Sequence, residues 1–404
     1  MTALPDLSVE THRIPFARTD MGPDAVAAAA RVLASGWVTT GPEVVDFERE
    51  FAAHLGLRAG QAQAVSSCTA AIELALRALR LPAGAKVLTP TITFCGAVHA
   101  IVNAGLAPVL VDCDAVTLAP DAATTAAAAA RAGGVDAMVV LHYAGYPAPV
   151  EQLAAAAGLP LGRVVEDAAH GLGTWVGDRP VGTISAATCF SFYATKNLPI
   201  GEGGMVTTTD PAIADFVRRA RLHGMSRDAW KRYLPGNGWR YAVETEGLKA
   251  NMTDVQAAIG RVQLRRFDGW QARREELARR YEANLAGVAG LRPAARPAAG
   301  RHAWHLYVVQ VEPEFGTPRD AVIEGLAARG VDCSVHFIPL HHQPYFRELF
   351  GSDQAGRFPA ADGAFERIVS LPFYPSLRDD QVDRVCEAIA DLRPAHTPRA
   401  RTAL

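Results

Sequence analysis

The chain contains no Cys-x-x-Cys pair. Its six cysteines, Cys68, Cys95, Cys113, Cys189, Cys333 and Cys386, are scattered. That pattern argues against a disulfide framework or a thiolate zinc site and for buried free thiols in a reducing compartment. The twelve histidines include one adjacent pair, His341-His342, and no His-Glu-x-x-His spacing, so no metal is expected. No apolar run approaches the ~20 residues that span a bilayer. Residues 1–18 lack a basic segment followed by an apolar core, so the reading is a cytoplasmic protein without membrane attachment or signal peptide. A formal net charge of -2 leaves no basic excess for a nucleic-acid partner. There are no internal repeats.

What is present is a chain of 404 residues, long enough for about two domains with an enclosed site. Short apolar strands are expected at 86–89, 108–112, 137–142, 163–167, 188–192 and 205–208, alternating with helices at 70–80, 96–104 and 121–131. Buried strands alternating with helices imply a mainly parallel sheet covered on both faces, with ligands beyond the carboxyl ends of the strands. Thr253 and Gln256 form a capping-box signature for a long helix that leads out of this sheet. Beyond it, strands at 305–311 and 332–337 and helices at 319–329 and 380–392 suggest a smaller α/β unit. The organisation read from these patterns is an irregular arm at 1–20, a large domain at 21–253, a connecting helix at 254–288, a small domain at 289–392 and a disordered tail at 393–404.

Four stretches carry chemistry. In Ser191-Phe192-Tyr193-Ala194-Thr195-Lys196-Asn197, ahead of Gly201-Glu202-Gly203-Gly204, one lysine follows an apolar strand. It is either a solvated charge or a nucleophile that forms an imine with an aldehyde cofactor. Ser67-Cys68-Thr69-Ala70-Ala71 opens a helix with small residues, which makes either a plain cap or a phosphate site. Asp167 ends a strand and could cap a helix, ligate a metal or hold a protonated ring nitrogen. Phe94 ends another strand, where its ring either packs in the core or covers a planar cofactor. Together these pieces fit pyridoxal 5'-phosphate: Lys196 for the imine, Asp167 for the ring nitrogen, Phe94 for one ring face, and Cys68, Thr69 and Ser191 for the phosphate.

At this point the chain resembles the DegT-type sugar aminotransferases, from about Pro15 to about Leu392. The likeness rests on those stretches and on Gly36-Trp37-Val38-Thr39-Thr40-Gly41-Pro42, Glu166-Asp167-Ala168-Ala169-His170, Gln256-Ala257-Ala258-Ile259-Gly260, His341-His342-Gln343-Pro344-Tyr345 and Leu371-Pro372-Phe373-Tyr374-Pro375. The resemblance implies an aspartate-aminotransferase-like fold type I. This would combine a large, mainly parallel seven-stranded sheet domain with a small C-terminal α/β domain. It also implies a homodimer with active sites at the interface, L-glutamate as amino donor and a nucleotide-diphosphate keto sugar as acceptor. Three departures stand out: Cys68 replaces a common glycine, His170 a common glutamine beside the cofactor's phenolic oxygen, and Gly247-Leu248-Lys249-Ala250-Asn251 the usual Gly-Tyr-Asn-Tyr-Arg. By the same resemblance, Asn251 or Lys249 reaches the phosphate in the partner's site, and the substitutions point to amination at C4. Trp37, Thr39, His336 and Tyr345 are expected at the substrate, with Arg232, Arg227 and Lys231 available for a diphosphate. Amination at C3, a sugar dehydratase and a cofactor-binding regulator are the alternatives. Lys196 argues against the dehydratase, which resembles this family with histidine in that place. The short segment before Arg18 argues against an attached DNA-binding domain.

Overall fold

The computed structural model describes residues 13–226, 241–351, 354 and 356–394. Its central sheet has the order β1-β9-β8-β5-β4-β2-β3. The strands are β1 Ala62–Val65, β2 Lys86–Pro90, β3 Ala107–Val111, β4 Ala137–Leu141, β5 Val164–Ala168, β8 Ala187–Ser191 and β9 Gly204–Thr207; β6 Trp175–Val176 and β7 Arg179–Pro180 form a separate hairpin. β8, β5, β4, β2 and β3 pair in parallel, while β9 is antiparallel to both β8 and β1. β1 therefore points the same way as β8, and six strands deliver their carboxyl ends to one edge. Continuous apolar runs such as Ala137–Leu141, buried at every position, are the mark of strands covered on both faces.

The covering helices are α1 Gly22–Ser35, α2 Pro42–His54, α3 Cys68–Ala78, α4 Cys95–Asn103, α5 Ala122–Arg131, α6 Val150–Ala156 and α7 Pro211–Ala220. The 32-residue helix α8, Asp254–Leu285, begins with the expected capping box. Thr253 Oγ1 accepts from Gln256 N at 3.3 Å, and Gln256 Oε1 accepts from Thr253 N at 2.9 Å, an arrangement worth about 1 kcal/mol. A rise of 1.5 Å per residue makes α8 about 48 Å long, so its first half packs on α1 and α2 and its last half on α12, Asp379–Ala390.

A second sheet has the order β10 Leu291–Arg292, β11 Tyr307–Val311, β12 Ile368–Leu371, all antiparallel. α9 Arg319–Ala328, α10 Pro344–Phe350 and α11 Pro359–Phe365 complete this part. The strand expected at 332–337 is absent. Ser334 makes one bridge to Ser370, with N–H to O distances of 3.1 and 2.8 Å, after which His336 and Phe337 turn into a cleft instead of continuing a ladder. The third strand is β12, whose four residues are too short to read from alternation. The segment expected as an irregular arm is anchored in its described part: Ile14 is buried and bonds through its backbone to Gly330 and Asp332. Each sheet has its own apolar core. A further cluster, in which Ile92, Leu110 and Tyr143 pack with Leu306, Val308, Leu340 and Phe346, joins the two.

Candidate active site

A cavity of about 480 Å³ opens where the strand ends meet the second sheet, a size usual for small-molecule sites. Its floor is the N-terminus of α3. Ser67 caps the helix, its Oγ accepting from Ala70 N at 3.1 Å. The first-turn N–H groups of Cys68 and Thr69 have no partner one turn back, and with the helix dipole they form an anion site. Two glycines allow the close packing of this turn. A Cβ on Gly204 would stand 2.6 Å from the Ser67 carbonyl carbon and oxygen, and one on Gly96 2.6 Å from Thr69 Oγ1. The Cys68 thiol turns away from the turn, donating to Cys189 O at 3.4 Å and lying 3.8 Å from Asp167 Oδ1. Cys68 thus offers the cavity its backbone rather than its side chain.

Asp167, next to last in β5, is 5% exposed and accepts from Ala169 N at 3.0 Å. Among the described residues no cation pairs with it, and burial pushes its pKa up against the opposing pull of that N–H and of Lys196. Behind it, Glu166 is fully buried on His142 Nε2 at 2.9 Å and the hydroxyls of Ser185 and Thr188 at 2.7 and 3.0 Å. Lys196 sits in the turn after β8, its N–H bonded to Tyr193 O at 2.9 Å. Burial presses its amine down to about 8, with Asp167 resisting. At about pH 8 roughly half of such amines are neutral and nucleophilic, against well under 1% for an ordinary lysine.

Three histidines surround the amine. His170 Nδ1 accepts from Ala144 N at 3.2 Å, so the proton of the neutral ring sits on Nε2 as a donor. Burial, then Lys196, holds its pKa well below the usual range. The His305 ring lies tilted with its centroid 4.4 Å from that of His170, and its Nδ1 is 3.1 Å from Asn197 Oδ1. His336, pressed down to about 4 chiefly by burial, has Nδ1 2.9 Å from Ser370 Oγ. Phe94 is 63% exposed at the mouth, its ring centroid 6.1 Å from that of Phe337, so it is not a core residue.

Of the residues singled out from sequence, Cys68, Thr69, Phe94, Asp167, His170, Ser191, Lys196 and His336 line this one cavity. Trp37, Thr39, Lys249 and Asn251 gather elsewhere. Lys249 Nζ donates to Asn251 Oδ1 at 2.6 Å, Asn251 Nδ2 to Thr40 Oγ1 at 2.7 Å and Trp37 Nε1 to Thr40 O at 3.1 Å, while Thr39 O accepts from Asp254 N at 2.9 Å. Tyr345 lies on the outside of α10 against His99, off the cavity wall. Arg227, Lys231 and Arg232 fall outside the described residues. His305, Phe16 and Phe337 line the cavity without having been singled out. For His305 the signal is long-range pairing with Asn197, which no local pattern carries.

The residues fit pyridoxal phosphate. An anion site, a buried acid with no ion pair among the described residues, a depressed lysine and an exposed ring converge on one cavity, each matching a different part of that molecule. The comparisons agree. The sequence profile described as the DegT/DnrJ/EryC1/StrS aminotransferase family matches residues 19–390. The spore coat polysaccharide biosynthesis protein SpsC of Bacillus subtilis (strain 168) is 43% identical over 383 residues, 94% of this chain and 97% of that protein. The aminotransferase TlmJ from Streptoalloteichus hindustanus superposes with a TM-score of 0.83 at 34% identity, covering 94% of this chain and 98% of that one. The PLP-form of a putative sugar aminotransferase, Spr1654 from Streptococcus pneumoniae, gives 0.84 at 28% identity over the same shares. With the fold, the cavity and a match over nearly its whole length in agreement, the chain belongs to the DegT/DnrJ/EryC1/StrS family and is a pyridoxal-phosphate-dependent sugar aminotransferase.

Proposed function

We propose that the enzyme moves the amino group of L-glutamate to C4 of a nucleotide-diphosphate-linked 4-keto (6-deoxy)hexose, in two half-reactions that share one lysine. The observation that carries this reading is Lys196, an amine lowered to about 8 that faces the helix anion site and a buried acid across a single cavity. The bound pyridoxal group supplies an electron sink. Thr69 and the α3 N–H groups hold its phosphate, Asp167 its ring nitrogen and His170 Nε2–H its phenolic oxygen. Lys196 Nζ takes the α-proton of glutamate in the first half and returns a proton to the sugar carbon in the second.

In this reading residues 21–253 hold the cofactor, 254–288 connect and 289–392 complete the wall above it. Trp37, Thr39, Lys249 and Asn251 serve the partner's cavity in a homodimer. Their clustering away from their own cavity supports that role, as do the exposed apolar side chains Val26, Leu33, Val38 and Val45 nearby. His336 meets the sugar, and Arg232 the diphosphate. The preference for C4 rests on the resemblance carried by Cys68, His170 and the 247–251 run, and the relative that bears the name of a spore coat polysaccharide biosynthesis protein suits an amino-sugar product destined for a cell-surface polysaccharide or an antibiotic. Incubation with glutamate and a panel of nucleotide-linked 3-keto and 4-keto sugars, with mass spectrometry and NMR of the products, tests it. Amination solely at C3 rejects the regiochemistry, and no amination of any nucleotide sugar rejects the acceptor class.

A further inference from the structure

The adjacent histidines have no metal-binding spacing in the sequence, yet the fold brings them a third ligand. His341 and His342 lie in the tight turn Leu340–His342, and α11 carries Asp362 opposite them. Both imidazole Nε2 atoms are 2.8 Å from the same carboxylate oxygen, Asp362 Oδ1. The three ligand atoms all lie within 4.8 Å of one another. Ligands held tetrahedrally at about 2.0–2.1 Å from a zinc ion stand roughly 3.4 Å apart, so each imidazole Nε2 needs to part from the carboxylate oxygen by only about half an ångström.

A second feature, independent of the cluster, orients the site. The fully buried Thr91 places its hydroxyl 2.7 Å from His341 Nδ1, and its carbonyl accepts the Leu340 N–H at 2.9 Å. One residue thus fixes both the ring and the turn that bears it, the role an outer partner plays for a metal-bound imidazole. When the Thr91 hydroxyl accepts from Nδ1–H, Nε2 is left without a proton and free to ligate a metal ion. The rings are braced by α11 as well, His341 against Phe358 at 4.6 Å and His342 against Phe365 at 5.7 Å between centroids. Asp112, whose oxygens are taken by the N–H groups of Cys113, Ala360 and Ala361, adds negative charge beside His341 without ligating. The side chains of His342 and Asp362 are 37% and 38% exposed, which leaves a path for entry and a coordination position for water.

We infer that His341, His342 and Asp362 bind a divalent transition-metal ion of the zinc class. Two imidazoles with one carboxylate and no thiolate favour zinc over magnesium, calcium or copper(I). The ion ties the segment 336–342, which supplies His336 and Phe337 to the cavity wall, to α11. Through Thr91 it also ties that segment to the loop ending at Phe94. It is a clamp on the substrate side of the site and takes no part in proton transfer.

The test is isothermal titration of Zn²⁺ into the full-length, cofactor-loaded enzyme after dialysis against a chelator. The comparison is the double variant His342→Ala/Asp362→Asn, whose two positions are half-exposed and whose fold is checked by circular dichroism and cofactor content. The wild type takes up one more ion per chain than the variant and alone gains thermal stability with zinc. Thr91→Val keeps the site but weakens it by about tenfold or more. Equal uptake by wild type and double variant, no uptake by either, or displacement of the ion by magnesium at equal concentration each overturns the assignment.

Discussion

Replacing Asp167 by asparagine keeps the acceptor that the Ala169 N–H uses and removes a buried charge that has no ion-pair partner among the described residues, only the weaker pull of Lys196. Burial raises the folded pKa of this carboxyl above its ordinary value. A group shifted in that sense costs stability when ionised: the cost is complete above the folded pKa and disappears below the unfolded value of about 3.9. Relief from a buried unpaired charge is worth about 1–3 kcal/mol. Cofactor-free Asp167→Asn should therefore be more stable than wild type by that amount at about pH 8, with the difference shrinking as pH falls towards about 4. With the cofactor bound, the order reverses. In the proposed cofactor-bound form the carboxylate would face the protonated ring nitrogen, and the variant should lose both affinity and at least ~100-fold in turnover. Urea midpoints of the cofactor-free proteins at both pH values, compared at a common slope, provide the measurement. A variant less stable than wild type at pH 8 without cofactor would refute the argument that this acid is held ready at a cost to the fold.

Gly204→Ala forces a methyl group against the backbone of Ser67 and Cys68. It should cost about 1–3 kcal/mol and weaken cofactor binding, measured by fluorescence titration; unchanged affinity would detach α3 from the phosphate. Covalent capture of the cofactor by the apoenzyme should rise with pH and reach half its plateau near pH 8, because the neutral form of Lys196 attacks. Borohydride trapping followed by mass spectrometry reads it, and a midpoint near that of free lysine would show the amine to be unperturbed. Mixing Lys196→Ala with Asn251→Ala subunits should restore part of the activity that each lacks alone, since the proposed interface sites leave one of the two in a mixed dimer intact. No recovery after verified subunit exchange argues against a shared site.

The large sheet was legible because its strands are buried on both faces: runs such as Ala137–Leu141 and Val164–Ala168 allow little else. The two-residue strands β6, β7 and β10 are too short to carry a period, and β1 is only four residues. At 332–337 the alternation came from Cys333, Val335 and Phe337, which pack against the apolar clusters from an irregular segment and so mimic a strand without its ladder. Within the site, residues at strand ends could be found because the parallel order places them together. His305 could not, since its part depends on Asn197, 108 positions away in sequence. Tyr345 shares a motif with the cavity segment but stands on the outer face of α10, because the chain turns at Pro344. The pairing of Asp362 with His341 and His342 was equally hidden, as nothing local announces it.

The apolar cluster that joins the two sheets also governs how the cavity behaves in time. Swinging the sheets apart far enough to wet Leu306, Leu340 and Phe346 costs about 1.5–3 kcal/mol for each, so a gaping form is populated below roughly one part in a thousand. The site is a standing mould, not a closing jaw. In the proposed reading, discrimination between sugars then falls to the fit of the acceptor within this fixed cavity.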